Sequence, residues 1–271
     1  MPAPAATPAP RLRVVGSGRA GGSVAGALGA VGWRVLPFLG RADDLSGAAH
    51  DVEVLVLATP DLAVAATAAA VEPVAGTVVV HLAGSLTLDV LAPHPRRASL
   101  HPLVPLPDAQ AGAARLQQGA WFAVAGSGPA ELAVVQRAVD DLSGRAVTVT
   151  DADRARYHAA ACIAANHLVA LLGQVERVAA PIGVPLEAYL ALTQASFDDV
   201  GRVGAAAALT GPVARRDWDT VARHVAALPA DERPAYLALA RAAHRLVAEP
   251  GEAVPDWLAG AAVGPGPQGG G

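Results

Sequence analysis

The chain has 271 residues, of which 53% are hydrophobic and only 16% are charged, and its formal net charge is −4. This length predicts two domains or one large one, with enough apolar residues for a substantial core. The weakly acidic balance argues against a nucleic-acid-binding surface. The sequence contains no lysine, and its single cysteine, Cys162, excludes an internal disulfide and is typical of the cytoplasm.

Both ends of the chain and one apolar stretch differ in composition from the rest of the sequence. Residues 1–10 are rich in Pro and Ala, lack the pattern of a signal peptide, and are predicted to form a disordered leader. Residues 251–271 are predicted to form a disordered tail. Residues 157–175 carry no formal charge and resemble a membrane span by hydropathy. Because this stretch contains His, Asn and Gln side chains, we predict a buried interdomain helix and no membrane association.

A glycine-rich loop follows the first predicted strand. A short, mostly apolar strand over residues 12–15 leads directly into Gly16, Gly18 and Gly21, which have the spacing GxGxxG. An Ala- and Val-rich helix and a second strand over residues 35–39 follow. In a dinucleotide site the first glycine permits the turn, the second admits the pyrophosphate, and the third lets helix and strand pack closely. The N-terminus of the helix offers free N–H groups to the phosphates. The arrangement predicts a dinucleotide-binding domain.

The residues after the second strand indicate which dinucleotide binds. NAD-specific sites place an acid about 20 residues past the glycines, where it bonds the ribose 2′-hydroxyl. Here Arg41 follows the strand and no acid occurs before Asp43. A guanidinium can bind a 2′-phosphate bidentately, so the sequence favours NADP(H), with Arg19 as a second cation. The predicted cofactor site comprises Gly16, Ser17, Gly18, Arg19, Ala20, Gly21, Arg41, Thr59 and Pro60.

The remainder of the chain separates into a part with strands and a part without. Further strands are predicted over residues 52–58, 77–82, 98–100, 121–125 and 146–150, with helices between them. This alternation predicts a doubly wound α/β domain of the Rossmann type over residues 11–150. Residues 151–250 are predicted to be all-helical, with helices from Asp151 to about residue 180 and over 186–208, 217–228 and 231–248. The active site is expected in the cleft between the two domains.

Histidines at two positions are candidate proton donors. His158, Cys162 and Asn166 are spaced by four and are predicted to share one face of the long helix. His101 precedes Pro102 at the end of a strand, where core packing alone does not explain a histidine. Either imidazole could donate a proton near neutral pH, and we favour His101.

Five motifs carry a family resemblance, namely GSGRAGGSVA (16–25), ATPD (58–61), SLHPL (99–103), YHAAACIAANHLVALL (157–172) and LTGPVARRDWDTVARHV (209–225). Through them the chain resembles NAD(P) oxidoreductases whose second domain is helical and similar to that of 6-phosphogluconate dehydrogenase. Within this superfamily it is similar to an uncharacterised branch that joins a Rossmann-like domain to a C-terminal domain of unknown function. The resemblance implies the fold and the cofactor class.

The resemblance also bears on the catalytic residues. Ketopantoate reductases place a catalytic lysine four residues before an asparagine; here Asn166 is present but Cys162 replaces the lysine. Ser85 and His101 match by position a serine and a histidine of prephenate dehydrogenases. Cys162 and Arg215 are candidates for binding the substrate, and Arg215 or its neighbour Arg216 could hold an anionic group. No histidine cluster has the spacing of a metal site.

These observations predict an NADPH-dependent reductase of a small anionic 2-oxo acid, similar to a ketopantoate reductase. Three alternatives stay open: a catalytically silent NADP-binding sensor, a prephenate-like dehydrogenase, and an imine reductase. The absent lysine favours the silent protein, whereas the polar helix face and His101 favour an enzyme. The Ala- and Val-rich helical domain has more apolar surface than a small bundle hides, so we expect a homodimer.

Overall fold

The computed structural model describes residues 9–260. These residues divide into two compact units, and the division lies between Asn166 and His167. The first eight residues of the predicted leader and residues 261–271 of the predicted tail lie outside the described residues. The division falls later than the predicted boundary after residue 150, because the start of the long helix belongs to the first unit.

The first unit is built on one seven-stranded sheet. Its strands are β1 (Arg11–Val15), β2 (Arg34–Val35), β3 (Val54–Leu57), β4 (Val78–His81), β5 (Arg97–Pro102), β6 (Trp121–Gly126) and β7 (Arg145–Thr148). They lie in the order β2-β1-β3-β4-β5-β6-β7. Every neighbouring pair is parallel except β5 and β6, which are antiparallel. The prediction of a doubly wound α/β domain is confirmed.

The central strands are buried on both faces. All four residues of β3 and all four of β4 are buried, as expected for parallel strands covered by helices on both sides. Separate hydrophobic clusters fill the two sides of the sheet. Strand β2 is shorter than predicted and is continued only by an isolated bridge between Val15 and Leu39. Pro37 interrupts it because proline has no N–H for the ladder.

Helices α1 (Arg19–Ala30), α2 (Asp61–Ala69), α3 (Ala109–Leu116) and α4 (Pro129–Asp141) cover the sheet. Small residues bring α1 and α3 unusually close together. A Cβ atom on Gly22 would lie 2.7 Å from the Cβ atom of Ala109. The buried Ser23 hydroxyl donates to the Arg19 carbonyl within α1 at 2.7 Å. This packing holds α1, and with it the glycine loop, in a fixed position.

The long helix is not a continuous α-helix. A 3₁₀ turn, Asp151–Asp153, leads into α5 (Arg154–Cys162), a π-helical segment over Ile163–His167, and α6 (Leu168–Ala179). A π segment has i→i+5 hydrogen bonds and therefore changes the direction in which later side chains point. The face predicted from a spacing of four consequently does not continue from Cys162 to Asn166.

The second unit contains the remaining helices. After α6 come α7 (Leu186–Val203), α8 (Ala205–Ala208), α9 (Trp218–Ala227), α10 (Arg233–Val247) and α11 (Asp256–Ala259). The carboxylate of Asp217 caps α9 by accepting the N–H of Thr220. The described hydrophobic cluster of this unit is small, with four buried members, Val213, Val221, Ala240 and Leu258.

Part of the predicted tail is folded. Residues 251–260 include α11, and Leu258 is fully buried against the helical unit. Arg241 donates to the Leu258 carbonyl at 2.9 Å. A bidentate ion pair between Arg216 and Glu252 adds a second tie to this segment. The helical unit thus extends through residue 260, ten residues beyond the predicted end at residue 250.

One helix of the described chain, Asp151–Ile182, is long and apolar enough to cross a membrane by length and composition alone. A single such helix is weak evidence, because helices of soluble proteins pass the same test. None of its most apolar window is buried in this chain, so the prediction of a buried helix is wrong for the isolated chain. The helix leaves apolar side chains such as Ile163 and Val169 exposed.

Candidate functional site

The glycine loop has the geometry that its sequence predicts. Gly16 has a φ of +103°, and a Cβ atom there would lie 2.7 Å from the Ala58 carbonyl oxygen. A Cβ atom on Gly21 would overlap the Gly16 carbonyl oxygen. Around Gly18, by contrast, no atom lies within 4 Å of the Cβ position. Gly16 and Gly21 therefore close the turn, and Gly18, the N-cap of α1, leaves open space before the helix N-terminus.

Polar groups beside this opening lack partners. The buried hydroxyl of Thr59, which follows β3, has no hydrogen bond within the described chain. Arg19 and Arg41 are exposed, and neither side chain makes a hydrogen bond or ion pair with a described residue. The carboxylate of Asp43 accepts the N–H of Gly40 at 2.6 Å and is thus bonded to its own loop. The guanidinium groups of Arg19 and Arg41 and the hydroxyl of Thr59 are therefore available to bind an anionic ligand.

Strands β1, β3, β4 and β5 are mutually parallel, so the glycine loop and the residues after β4 lie at the same edge of the sheet. Ser85, which follows β4, is exposed and lies 3.4 Å from Asp61 at the start of α2. His101 lies within β5 rather than after it, one residue before its end. The predicted residues Ser85 and His101 thus share the carboxyl edge that ligands of open α/β sheets occupy.

His101 and His158 meet at Gly84. Their ring centroids are 5.8 Å apart, and the rings are nearly perpendicular. A Cβ atom on Gly84 would overlap His158 Nδ1 and lie 2.9 Å from His101 Nε2. His158 Nδ1 is buried and has no partner among the described residues. Two candidates that the sequence analysis treated as rivals therefore belong to one cluster.

The other helix candidates separate at the π segment. The sulfur of Cys162 lies 3.6 Å from His158 Nε2, so these two residues share a face as predicted. Asn166 is exposed and makes no side-chain hydrogen bond within the part of the chain that the structure describes. It is not brought to the histidine pair.

Tyr157 also belongs to the histidine cluster, although it was not predicted from the sequence. Its hydroxyl oxygen lies 2.6 Å from His101 Nδ1, and the two rings meet edge to face with centroids 5.6 Å apart. Tyr157 stands directly before His158 on α5, and both side chains reach the same imidazole from the helix. Tyrosine next to a candidate histidine was the available signal.

Arg154 was also missed, together with the strand residues beneath it. Its side chain is 1% exposed and donates to the Ser99 hydroxyl on β5. Asp151, 4.0 Å from Arg154 Nε, is its nearest carboxylate among the described ion pairs. His81 on β4, fully buried, pairs with Ser99 in the sheet. A buried guanidinium with so distant a counterion makes the surroundings of His81 and His101 electropositive.

This environment keeps the imidazoles of His81 and His101 neutral at neutral pH. Burial lowers the pKa of His101 from 6.5 to about 4, and the neighbouring His158 and Arg154 side chains add to the shift electrostatically. Burial, Arg154 and His101 lower the pKa of His81, likewise to about 4. Burial raises the pKa of Tyr157 to about 12, although Arg154 opposes the shift. The expectation of a histidine that is protonated near neutral pH is therefore wrong for His101.

The arginines predicted to bind an anion lie in the helical unit. Arg216 has a φ of +57° and is held by Glu252 and by the Val247 carbonyl. These contacts give Arg216 a structural role. Arg215 is exposed, and its role as a substrate-binding residue stays a prediction.

Comparison with known proteins gives a family-model match over one segment of the chain and solved structures with a similar fold. Residues 120–243 match a domain of unknown function, DUF2520. No curated protein matches the sequence.

Three solved structures illustrate the fold. BF3122 from Bacteroides fragilis, provisionally named an NADP oxidoreductase, is 18% identical, with a TM-score of 0.72 over 88% of this chain and 98% of its own. TM1727 from Thermotoga maritima is 20% identical, with a TM-score of 0.68 over 87% and 98%. A reductive aminase from Aspergillus terreus in complex with NADPH and ethyl-5-oxohexanoate is 18% identical, with a TM-score of 0.66 over 88% and 94%. The fold is thus a Rossmann-type domain followed by a helical domain, as predicted.

Proposed function

We propose that the protein is an NADPH-dependent oxidoreductase that reduces a small 2-oxo acid. The observation that carries the proposal is the presence of two sites on one sheet edge: a glycine loop open at Gly18 and the His101–His158 pair at Gly84. The fold shared with BF3122 and with the NADPH-bound reductive aminase supports the class of reaction. The resemblance to ketopantoate reductases makes ketopantoate the first substrate to test.

The residues at the loop fit NADPH. The free N–H groups of α1 face the opening at Gly18, where a pyrophosphate would be stabilised by the helix dipole. Thr59 offers an unpartnered hydroxyl, and Arg41 offers a cation for the 2′-phosphate. When bound, NADPH supplies the hydride. This chain's own contribution to the chemistry is then to orient the acceptor and to provide a proton.

His101 is the residue proposed to face the acceptor oxygen. Its Nε2 atom packs against Gly84 at the carboxyl edge of the sheet, where any larger residue would collide with the two imidazoles. A neutral imidazole can donate a hydrogen bond to an oxygen on which negative charge develops. Ser85 is a second donor next to this point, and it is itself close to Asp61.

Imine reduction is a second candidate, favoured by one observation. The pKa of His101 is about 4, so His101 is not an imidazolium at neutral pH that could protonate a weakly basic ketone. A protonated imine already carries the proton that a ketone needs, so its reduction requires no acid from His101. The likeness to a reductive aminase points the same way.

A substrate panel tests the proposal. NADPH oxidation is followed with 2-oxo acids, ketopantoate included, and with cyclic imines. We expect turnover with one of these classes and a loss of about two to four orders of magnitude in His101→Ala. NADPH affinity, measured by fluorescence, should hardly change in that variant. His158→Ala should act mainly on KM. Tight NADPH binding without any turnover would instead favour the silent sensor.

We also propose that the protein is a cytoplasmic homodimer. Helix α7 has no buried residue, and Leu192 and Phe197 on it are 63% and 68% exposed. The small cluster around Val221 cannot cover this surface. Apolar side chains left uncovered on one helix are typical of an interface between copies of a chain.

A further inference from the structure

The hydrogen bond between Tyr157 and His101 joins a helix to a strand. Tyr157 lies in the first turns of α5, His101 lies near the end of β5, and 56 residues separate them in the chain. At 2.6 Å the bond is at the short end of the range for a hydroxyl. Both partners can donate or accept, so the position of the proton decides what the contact does.

The surroundings of the two groups assign the donor. His101 is neutral at neutral pH because its pKa is about 4, so one of its ring nitrogens is an acceptor. Tyr157 keeps its proton because its pKa is about 12, and its hydroxyl makes no other hydrogen bond within the described chain. A phenol proton directed at Nδ1 satisfies both groups. If Nδ1 carried the proton instead, the phenol proton would lose its acceptor.

The opposite nitrogen of His101 then carries the hydrogen. Nε2 packs directly against Gly84, where a Cβ atom would lie only 2.9 Å from it. The unpartnered Nδ1 of His158 packs against the same glycine. The N–H group of His101 therefore lies at the residues that follow β4, of which Ser85 is the next along the chain.

We propose that the Tyr157 hydroxyl fixes His101 in the Nε2–H tautomer and replaces the proton that His101 gives to the substrate. The second half of this proposal rests on the proposed function. Tyr157 is thus a positioning residue and proton source that acts through His101, without contact with the substrate.

The proton transfers balance. After a substrate carbonyl carbon has accepted a hydride, its oxygen takes the Nε2 proton of His101. The O–H bond of Tyr157 breaks, and its proton passes to Nδ1. His101 remains neutral in the other tautomer, and the negative charge resides on the Tyr157 oxygen. Burial raises the pKa of Tyr157 to about 12, but the Arg154 cation opposes this shift and so stabilises the tyrosinate. Water then returns a proton to Nε2 of His101, which is partly exposed, and the Nδ1 proton passes back to the Tyr157 oxygen, so that the cycle can repeat.

Imidazole ¹⁵N NMR tests the tautomer without any substrate. The His101 signals are assigned from their loss in His101→Gln. In the wild type we expect a neutral imidazole with the proton on Nε2. In Tyr157→Phe, the loss of the donor should populate the Nδ1–H tautomer and shift the Nδ1 resonance. A wild-type His101 protonated on Nδ1, or signals unchanged in Tyr157→Phe, would overturn the proposal.

The chain contains a matched control. The hydroxyl of Tyr236 lies 2.8 Å from His224 Nδ1 in the helical unit, again with nearly perpendicular rings. Tyr236→Phe should change the signals of His224 and leave those of His101 unaltered. Equal effects of the two variants on His101 would reveal a general structural disturbance and contradict the specific role of Tyr157.

Kinetics test whether Tyr157 replaces the proton that His101 gives to the substrate. With a substrate found in the panel, Tyr157→Phe should lower kcat about tenfold to a hundredfold and leave KM and NADPH affinity nearly unchanged. The solvent isotope effect on kcat should also change, since a proton transfer has been removed. An unchanged kcat would overturn the relay. If NADPH binds but no substrate is reduced, the function and the relay fail together, whereas NMR still decides the tautomer.

Discussion

Arg154 donates from the start of α5 to the hydroxyl of Ser99 in the middle of β5, two residues before His101. This contact places a buried cation beneath the histidine cluster and ties the helix to the strand. A buried charge is costly unless it is paired, and here Asp151 pairs with it only at 4.0 Å. The fold thus maintains an electropositive site at some cost to stability.

The first prediction concerns the effect of this cation on His101. Arg154→Met keeps an unbranched side chain of similar length but removes the charge. We expect the pKa of His101 to rise from about 4 toward its ordinary value, because one of the charges that lowers it is lost. An NMR titration of His101 measures the shift.

Arg156→Met is the matched control, since Arg156 is exposed on the same helix. It should leave the His101 titration unchanged. Because Arg154→Met also removes the donor to the buried Ser99 hydroxyl, circular dichroism must first show that the variant is folded. Identical titration curves for wild type and Arg154→Met would refute the electrostatic account.

The second prediction concerns acid stability. His81 and His101 have folded pKa values of about 4, against an ordinary value of 6.5. Between these values the unfolded chain binds protons that the folded chain does not. The free energy of unfolding should therefore fall as the pH falls from about 6.5 to about 4. The free energy of unfolding falls by on the order of 3 kcal/mol per imidazole over this pH range. Below about pH 4 these two groups cause no further loss.

Urea unfolding at a series of pH values measures this dependence. His81→Leu removes one of the two groups, so its curve should be flatter between pH 6.5 and 4. His50→Gln, an exposed position, should keep the wild-type slope. If the free energy of unfolding has the same pH dependence in His81→Leu as in the wild type, His81 does not contribute to that dependence.

How far the sequence predicts this molecule depends on the range of the interactions. The glycine loop, the strands and the caps are set by neighbouring residues, and Gly16, Gly21 and Asp217 act as their local sequence implies. Strand β2 ends early because Pro37 lacks an N–H group, and this local effect could have been predicted from the sequence.

The histidine cluster could be predicted only in part. His101 and His158 were identified singly, but their meeting at Gly84 joins three distant positions in the chain. The spacing of four places Asn166 on the same face as His158 only in a regular α-helix. The π segment makes the helix irregular and turns Asn166 away from that face. Nothing local indicates that Arg154 is buried, because arginine at the start of a helix is ordinarily exposed.

The third prediction concerns cofactor choice. Arg41→Ala should raise the Kd for NADPH about tenfold or more and leave the Kd for NADH nearly unchanged, because only NADPH carries the 2′-phosphate. Fluorescence titration with both cofactors measures this. Arg34→Ala, an exposed arginine on β2, is the control and should alter neither value. Equal wild-type affinities for the two cofactors would remove the basis for NADP specificity.

The fourth prediction concerns Gly84. A methyl group there would overlap His158 Nδ1 and press on His101 Nε2, so Gly84→Ala must displace at least one imidazole. We expect turnover to fall at least tenfold, while NADPH binding at the distant glycine loop is retained. Gly76→Ala, at a position with no atom within 4 Å, should be silent in both assays. Full activity in Gly84→Ala would show that the two imidazoles need not meet at this point.

The fifth prediction concerns assembly. Light scattering at micromolar concentration should give the mass of a dimer for the wild type, because α7 leaves Leu192, Phe197 and other apolar side chains uncovered. Phe197→Glu would place a charge in the proposed interface and should shift the equilibrium toward the monomer. Leu62→Glu is the matched control: Leu62 is fully exposed on α2 of the sheet unit, outside that surface, and should leave the mass unchanged. A monomeric wild type, or a dimer that Phe197→Glu and Leu62→Glu weaken equally, would show that α7 is not where two copies meet.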